Sequence, residues 1–139
     1  MSDEFYQVLS VPLLEYQALD DQHRALSSFL ASLHQAVVNG SSLSEQRLLL
    51  HEFLSQLRVH CAKEEQLMRS DEYPDRHAHA MAHQALFQRL KWFDDILIRS
   101  AHSAALEALR ELTTDLLSHV NWEDRRIVEW HRTHSSPAE

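Results

Sequence analysis

Leu19, His23, Leu26, Leu30, Leu33 and Val37 recur at alternating steps of four and three residues, the rhythm that stacks side chains on one face of a helix. They predict a first helix over 18–38, closed by the stop and turn Asn39-Gly40-Ser41-Ser42. A second stripe of Leu49, Phe53, Leu57, His60, Glu64 and Leu67 predicts a helix that starts at Ser44. It is broken at Tyr73-Pro74, because proline lacks a backbone donor and biases its predecessor away from helical angles. His79, His83, Leu86, Leu90, Phe93 and Leu97 mark a third helix over 75–100. Ala105, Leu109, Leu112, Leu116, His119 and then Ile127 mark a fourth over 103–132.

Four such helices joined by short loops pack most simply as an all-α, antiparallel, up-down-up-down four-helix bundle. The expected organisation is an extended N-terminal arm over 1–18, the bundle over 19–132 and a frayed tail over 133–139. Composition agrees. Gly40 is the one glycine and there are three prolines, while Leu, Ala, Gln, Glu and Arg, which lose little on entering a helix, abound. A chain of 139 residues can bury one core without disulfide staples.

The net charge of -8 argues against a nucleic-acid partner, since binding to phosphate rests on clustered Lys and Arg. Cys61 stands alone and forms no internal disulfide, and MSDEFYQVLSVPLLEY lacks a basic start followed by a long apolar run, so the expected location is the cytoplasm. No apolar run is long enough to predict a membrane-spanning helix.

Near one level every stripe turns polar: His23 on the first helix, His60 and Glu64 on the second, His79 and His83 on the third, His119 on the fourth. An unsatisfied buried polar group costs about 1 to 3 kcal/mol and a lone charge more, so a core with this many imidazoles needs a partner for them. A metal centre supplies one. His60-x3-Glu64 and His79-x3-His83 are i,i+4 pairs, about 40° apart around the axis, so both members of each can reach one inward site. Five imidazoles with one or two carboxylates exceed a four-coordinate zinc but suit two octahedral first-row metals that share bridging carboxylates. Iron, manganese or a mixed pair all match that ligand count.

A lone histidine on an apolar stripe is more often a hydrogen-bonded core residue than a ligand; five at matched levels on four stripes reverse that weighting. His34 lies too far along its helix and is expected at the rim, and His51 falls half a turn out of phase with His60 and is expected in solvent. His77, His102, His131 and His134 are expected on the surface. On the fourth helix, spacing alone favours Glu123 at i+4 from His119 over Asp124 at i+5, which lies about 140° round a regular helix.

Leu-Asp-Asp-Gln-His at 19–23, His-x3-Glu-Glu-x2-Met at 60–68, Tyr-Pro-x4-His-x3-His at 73–83 and His-x4-Asp at 119–124 together resemble the hemerythrins, particularly the bacterial single-domain members. Any one of these motifs is weak; all four in this order are highly specific. The resemblance implies a non-haem di-iron centre in a four-helix bundle. By that likeness His79, His83 and His119 would hold one iron, His23 and His60 the other, and Glu64 and Asp124 would bridge them beside an oxo or hydroxo group. The family pattern thus chooses Asp124 where spacing chose Glu123, either through side chains approaching from flanking directions or through a local i+5 widening. For Glu64 against Glu65, phase and family agree on Glu64.

Two features depart from the family. Cys61 stands after a ligand where relatives commonly carry an aromatic, and reads as a small buried filler; the arm lacks the expected tryptophan. Leu116, one turn before His119, matches a position that lines the family's oxygen pocket and is also ordinary core leucine.

The resemblance implies that dioxygen binds reversibly at the iron with only two imidazoles, for storage, delivery or sensing, and that the protein is not an enzyme. Seven protein ligands leave a single open position, which disfavours oxygenase chemistry, and carboxylate-rich di-iron oxidases carry Glu-x-x-His pairs that are missing at the expected positions. The competing readings are a peroxidase or nitric oxide scavenger, and a redox-responsive module with an unknown protein partner.

Overall fold

The computed structural model describes residues 17–134. The helices are α1 (Gln17–Val38), α2 (Leu43–Ser70), α3 (Arg76–Arg99), α4 (His102–Ser118) and α5 (Arg125–His134), the last two joined by a π-helical turn (His119–Asp124) into one continuous rod. Each rod packs on the next and α1 closes on α4, giving the four-helix bundle. The expected arm lies outside the described residues except for 17–18, which begin α1, and the expected tail does so except for 133–134, which end α5.

Local chemistry explains where the helices stop. Past Val38, Gly40 takes φ +66°, its N–H bonds to the Val37 carbonyl and the Ser41 N–H to that of Ala36. This is the Schellman arrangement, for which glycine is suited because it has no Cβ to clash in the left-handed region. α2 begins at Leu43 rather than at Ser44, because Ser42 caps it: its Oγ accepts the Glu45 N–H at 3.2 Å. α2 ends by the same motif as α1, with Tyr73 N–H on the Met68 carbonyl and Glu72 N–H on that of Arg69. Here the left-handed position falls on Glu72, φ 52°.

The core has three parts. The largest, built around Leu33, Phe53, Leu90, Phe93, Leu109 and Leu112, fills the half of the bundle towards the 39–42 turn. Two smaller ones, Leu19 with Val128 and Met68 with Tyr73 and Ile127, close the other end. The polar residues lie between them, so the site is walled by hydrocarbon at both ends along the bundle axis. On α2 the stripe is shifted from its expected track: Leu50 and Met68 are buried where Leu49 and Leu67 are half-buried. No helix among the described residues is long and apolar enough to cross a membrane.

Candidate metal centre

His23, His60, Glu64, His79, His83, His119 and Asp124 converge at one level, and each is at most 8% exposed. Their ligand-grade atoms form two sets: Glu64, His79, His83, His119 and Asp124 in one, and His23, His60, Glu64 and Asp124 in the other, all within 4.8 Å in each set. Glu64 and Asp124 belong to both.

The i,i+4 spacing acts as expected on α2 and α3. Glu64 Oε1 lies 3.3 Å from His60 Nε2 in its own helix and 2.9 Å from His83 Nε2 across the bundle. The rings of His79 and His83 meet edge to face at 4.4 Å between centroids. From α1, His23 Nε2 approaches Asp124 Oδ2 to 3.0 Å.

The fourth rod resolves the Glu123–Asp124 choice. Its π-helical turn spans His119–Asp124, and widening the turn to i+5 brings the sixth residue, Asp124, back towards the first, His119, a known device at functional sites. Asp124 is fully buried, with Oδ1 2.8 Å from His119 Nε2. Glu123 is turned outward, 43% exposed, its carboxylate 3.9 Å from the outer nitrogen of His79.

Several of these atoms lack hydrogen bonds. Glu64 Oε2, His119 Nε2 and Asp124 Oδ1 are buried with no hydrogen-bond partner, the last two lying close together without hydrogen-bond geometry. The Nε2 atoms of His23 and His60 face each other at 3.2 Å. Electron pairs aimed at a common point and left unsatisfied are what a cation between them would complete. Without one, protons do part of that work. Burial opposes charge on His60 and His79, yet the charges and hydrogen bonds of Glu64 and Asp124 lift them to about 10 and about 9. Burial likewise opposes ionisation of the acids, and the imidazoles reverse it, holding Glu64 at about 2 and Asp124 well below the usual carboxylate range. The donor set of imidazoles and carboxylates therefore fits a divalent first-row metal pair in charge as well as in number.

Beyond the inner atoms, His60 Nδ1 donates to Gln22 Oε1 at 2.8 Å and His83 Nδ1 to Glu65 Oε2 at 3.2 Å. Sequence reasoning gives Gln22 no role and weighs Glu65 only as a rival to Glu64. The signal is available: each flanks an inner residue on its own helix and so can reach the back of a ring on the neighbouring one.

The remaining histidines differ in exposure. His34 is half-buried, and His51, His77, His102 and His134 are exposed, as expected. His131 is not free on the surface. It is half-buried, with Nδ1 2.6 Å from Asp71 Oδ2, while the adjacent Trp130 donates its indole N–H to the Asp71 carbonyl at 2.8 Å. These two contacts tie α5 to the α2–α3 turn. Cys61 is buried in the large core cluster, as a small filler should be, and burial pushes its thiol well above the ordinary range.

A cavity of about 40 Å³ adjoins the centre. Its wall is apolar, with Leu26, Leu30, Phe53, Leu57, Leu86 and Leu116 prominent, and it touches His23, His60, His119 and Asp124 but not His79, His83 or Glu64. It thus reaches both imidazoles of the set with two and only His119 of the set with three.

A family model described as the hemerythrin HHE cation binding domain matches residues 14–131. No curated protein and no solved structure matches the chain.

Proposed function

The chain belongs to the hemerythrin family, and from that premise we propose that it binds dioxygen reversibly at a non-haem di-iron centre. His79, His83 and His119 would hold one iron, His23 and His60 the other, with Glu64 and Asp124 shared. When bound, the iron pair supplies the two electrons, one from each ion, that dioxygen binding draws on.

The observation that carries this reading is the cavity and where it lies. A site needs roughly 10–15 Å³ of such space for one water-sized group, so about 40 Å³ has room for a diatomic molecule and none for an organic substrate beside it. That favours binding over oxygenation. The leucines and Phe53 of the wall exclude water from the same space, which guards against hydrolysis and proton leakage. The seven inner side chains bring only two carboxylates against five imidazoles, a less anionic set than the carboxylate-rich di-iron proteins use. Less negative charge favours the reduced pair and a reaction that can run backwards. Leu116 is the pocket residue in this reading, since it lines the cavity one turn before His119.

The test is an iron assay joined to absorption spectra. Protein loaded with ferrous iron under anaerobic conditions is expected to take up two irons per chain, to gain visible charge-transfer absorption on exposure to oxygen, and to lose it again on deoxygenation. Steady consumption of oxygen, peroxide or nitric oxide without reversal would instead make the chain an enzyme and overturn the proposal.

A further inference from the structure

We infer that the two halves of the centre are graded in metal affinity, and that Glu65 and Gln22 act as positioning residues that set the gap. This rests on the ligand assignment proposed above and concerns the protein before any gas binds.

Both residues perform one task with different charge. His83 is fully buried, and its Nδ1–H donates to a carboxylate oxygen of Glu65. His60, nearly as buried, donates its Nδ1–H to the amide oxygen of Gln22. In each case the hydrogen bond fixes the tautomer and leaves the Nε2 electron pair for the inner site. Only Glu65 also brings a negative charge, which strengthens the imidazole as a donor and offsets the charge of a cation behind it. Glu123 adds a second carboxylate near the same half, 3.9 Å from His79 Nδ1. His79 Nδ1 and, in the other half, His23 Nδ1 are both buried with no hydrogen-bond partner, but among the described residues no carboxylate stands behind His60 as Glu65 does behind His83. The half with His79, His83 and His119 therefore has one more imidazole and the more negative surroundings, and it fills first. The half with His23 and His60, next to the cavity, fills second and empties first.

Glu65 is 33% exposed, so solvent screens part of its charge and its effect belongs at the lower end for groups of this kind. The experiment is an anaerobic titration of the metal-free full-length chain with cobalt(II), monitored by calorimetry and visible absorption. The wild-type chain should show two resolved steps. Glu65→Gln keeps an acceptor for His83 and removes only the charge; it should weaken the tighter step by about 10-fold and leave the weaker one unchanged. Gln22→Glu should tighten the weaker step, and the exchange of both should bring the steps together. Glu65→Gln weakening both steps equally or neither, or Gln22→Glu acting on the tighter step, overturns the inference. Should Glu65→Gln fail to fold, Gln22→Glu decides alone. If the wild type binds two metals and reversible oxygen while these variants titrate like it, the grading fails and the proposed function stands; if the steps move as expected but oxygen is not bound, the reverse holds.

Discussion

The side chains of His119 and Asp124 meet at 2.8 Å although they stand five positions apart in the chain. A regular helix would set them about 140° apart; the π-helical turn between them removes that angle. The extra residue it accommodates also rephases α5, so that Ile127 and Val128 still reach the core. One local widening thus serves both the site and the packing beyond it.

Replacement of the two neighbouring acids should therefore have unequal effects. Asp124→Asn removes a carboxylate shared by both ligand sets and is expected to reduce uptake from two metals per chain to one or none. Glu123→Gln touches only the outer edge of His79 and should retain both. Elemental analysis after reconstitution and desalting measures this; equal losses would mean that Glu123 is a ligand.

Periodicity sets the limit of what the sequence reveals about this site. The i,i+3 and i,i+4 rhythm reports one face of one helix, and it finds His23, His60, Glu64, His79 and His83 because they lie on inward stripes of regular helix, and His119 because it directly continues the stripe of α4. Asp124 sits on a widened turn that no regular period contains, and only the family pattern names it. Leu50 and Met68 displace Leu49 and Leu67 because neighbouring helices decide which edge of a broad stripe is covered. Glu65 and His131 escape the rhythm for a related reason: their partners, His83 and Asp71, lie on other elements.

Leu116 offers a way to close the cavity without touching a ligand. It is half-buried and lines the space of about 40 Å³. Leu116→Phe pushes a ring into that space at an overpacking cost of about 1–3 kcal/mol. Metal content should be unchanged and oxygen affinity should fall by about 10-fold, roughly 1.4 kcal/mol. Oxygen equilibrium curves at fixed iron content check this, and an unaltered curve would separate the cavity from binding.

Glu72 holds a left-handed backbone in the turn after α2, φ 52°, where a side chain costs roughly 1–2 kcal/mol. Nothing else about the turn is ill-made: both Schellman hydrogen bonds form and Tyr73 packs against Met68. Glu72→Gly removes the clash and loses some of the gain to a looser unfolded chain, leaving a net stabilisation of about 0.5–1 kcal/mol. Thermal melts should move up by a few degrees. The matching control, Gly40→Ala at φ +66°, should move them down.

The metal-free protein should lose stability in alkali, and metal should reverse that loss. His60 and His79 are raised from 6.5 to about 10 and about 9 against the pull of burial. Their contribution is therefore full below 6.5 and disappears as pH climbs through those values. Glu64 is lowered from 4.5 to about 2, so its share is full above 4.5 and is lost as pH falls towards 2. Asp124 moves in the same direction as Glu64. Together they place the most stable range of the metal-free cluster between about 4.5 and 6.5. Metal requires neutral imidazoles, so loading expels protons and tightens as pH rises. The gap in melting temperature between loaded and metal-free protein should widen from pH 5 to pH 9, and adding metal to weakly buffered protein near pH 7 should acidify it. A metal-free melting temperature that stays flat across that range, with no proton release, would mean that the imidazoles are already neutral and that Glu64 and Asp124 do not hold protons on them.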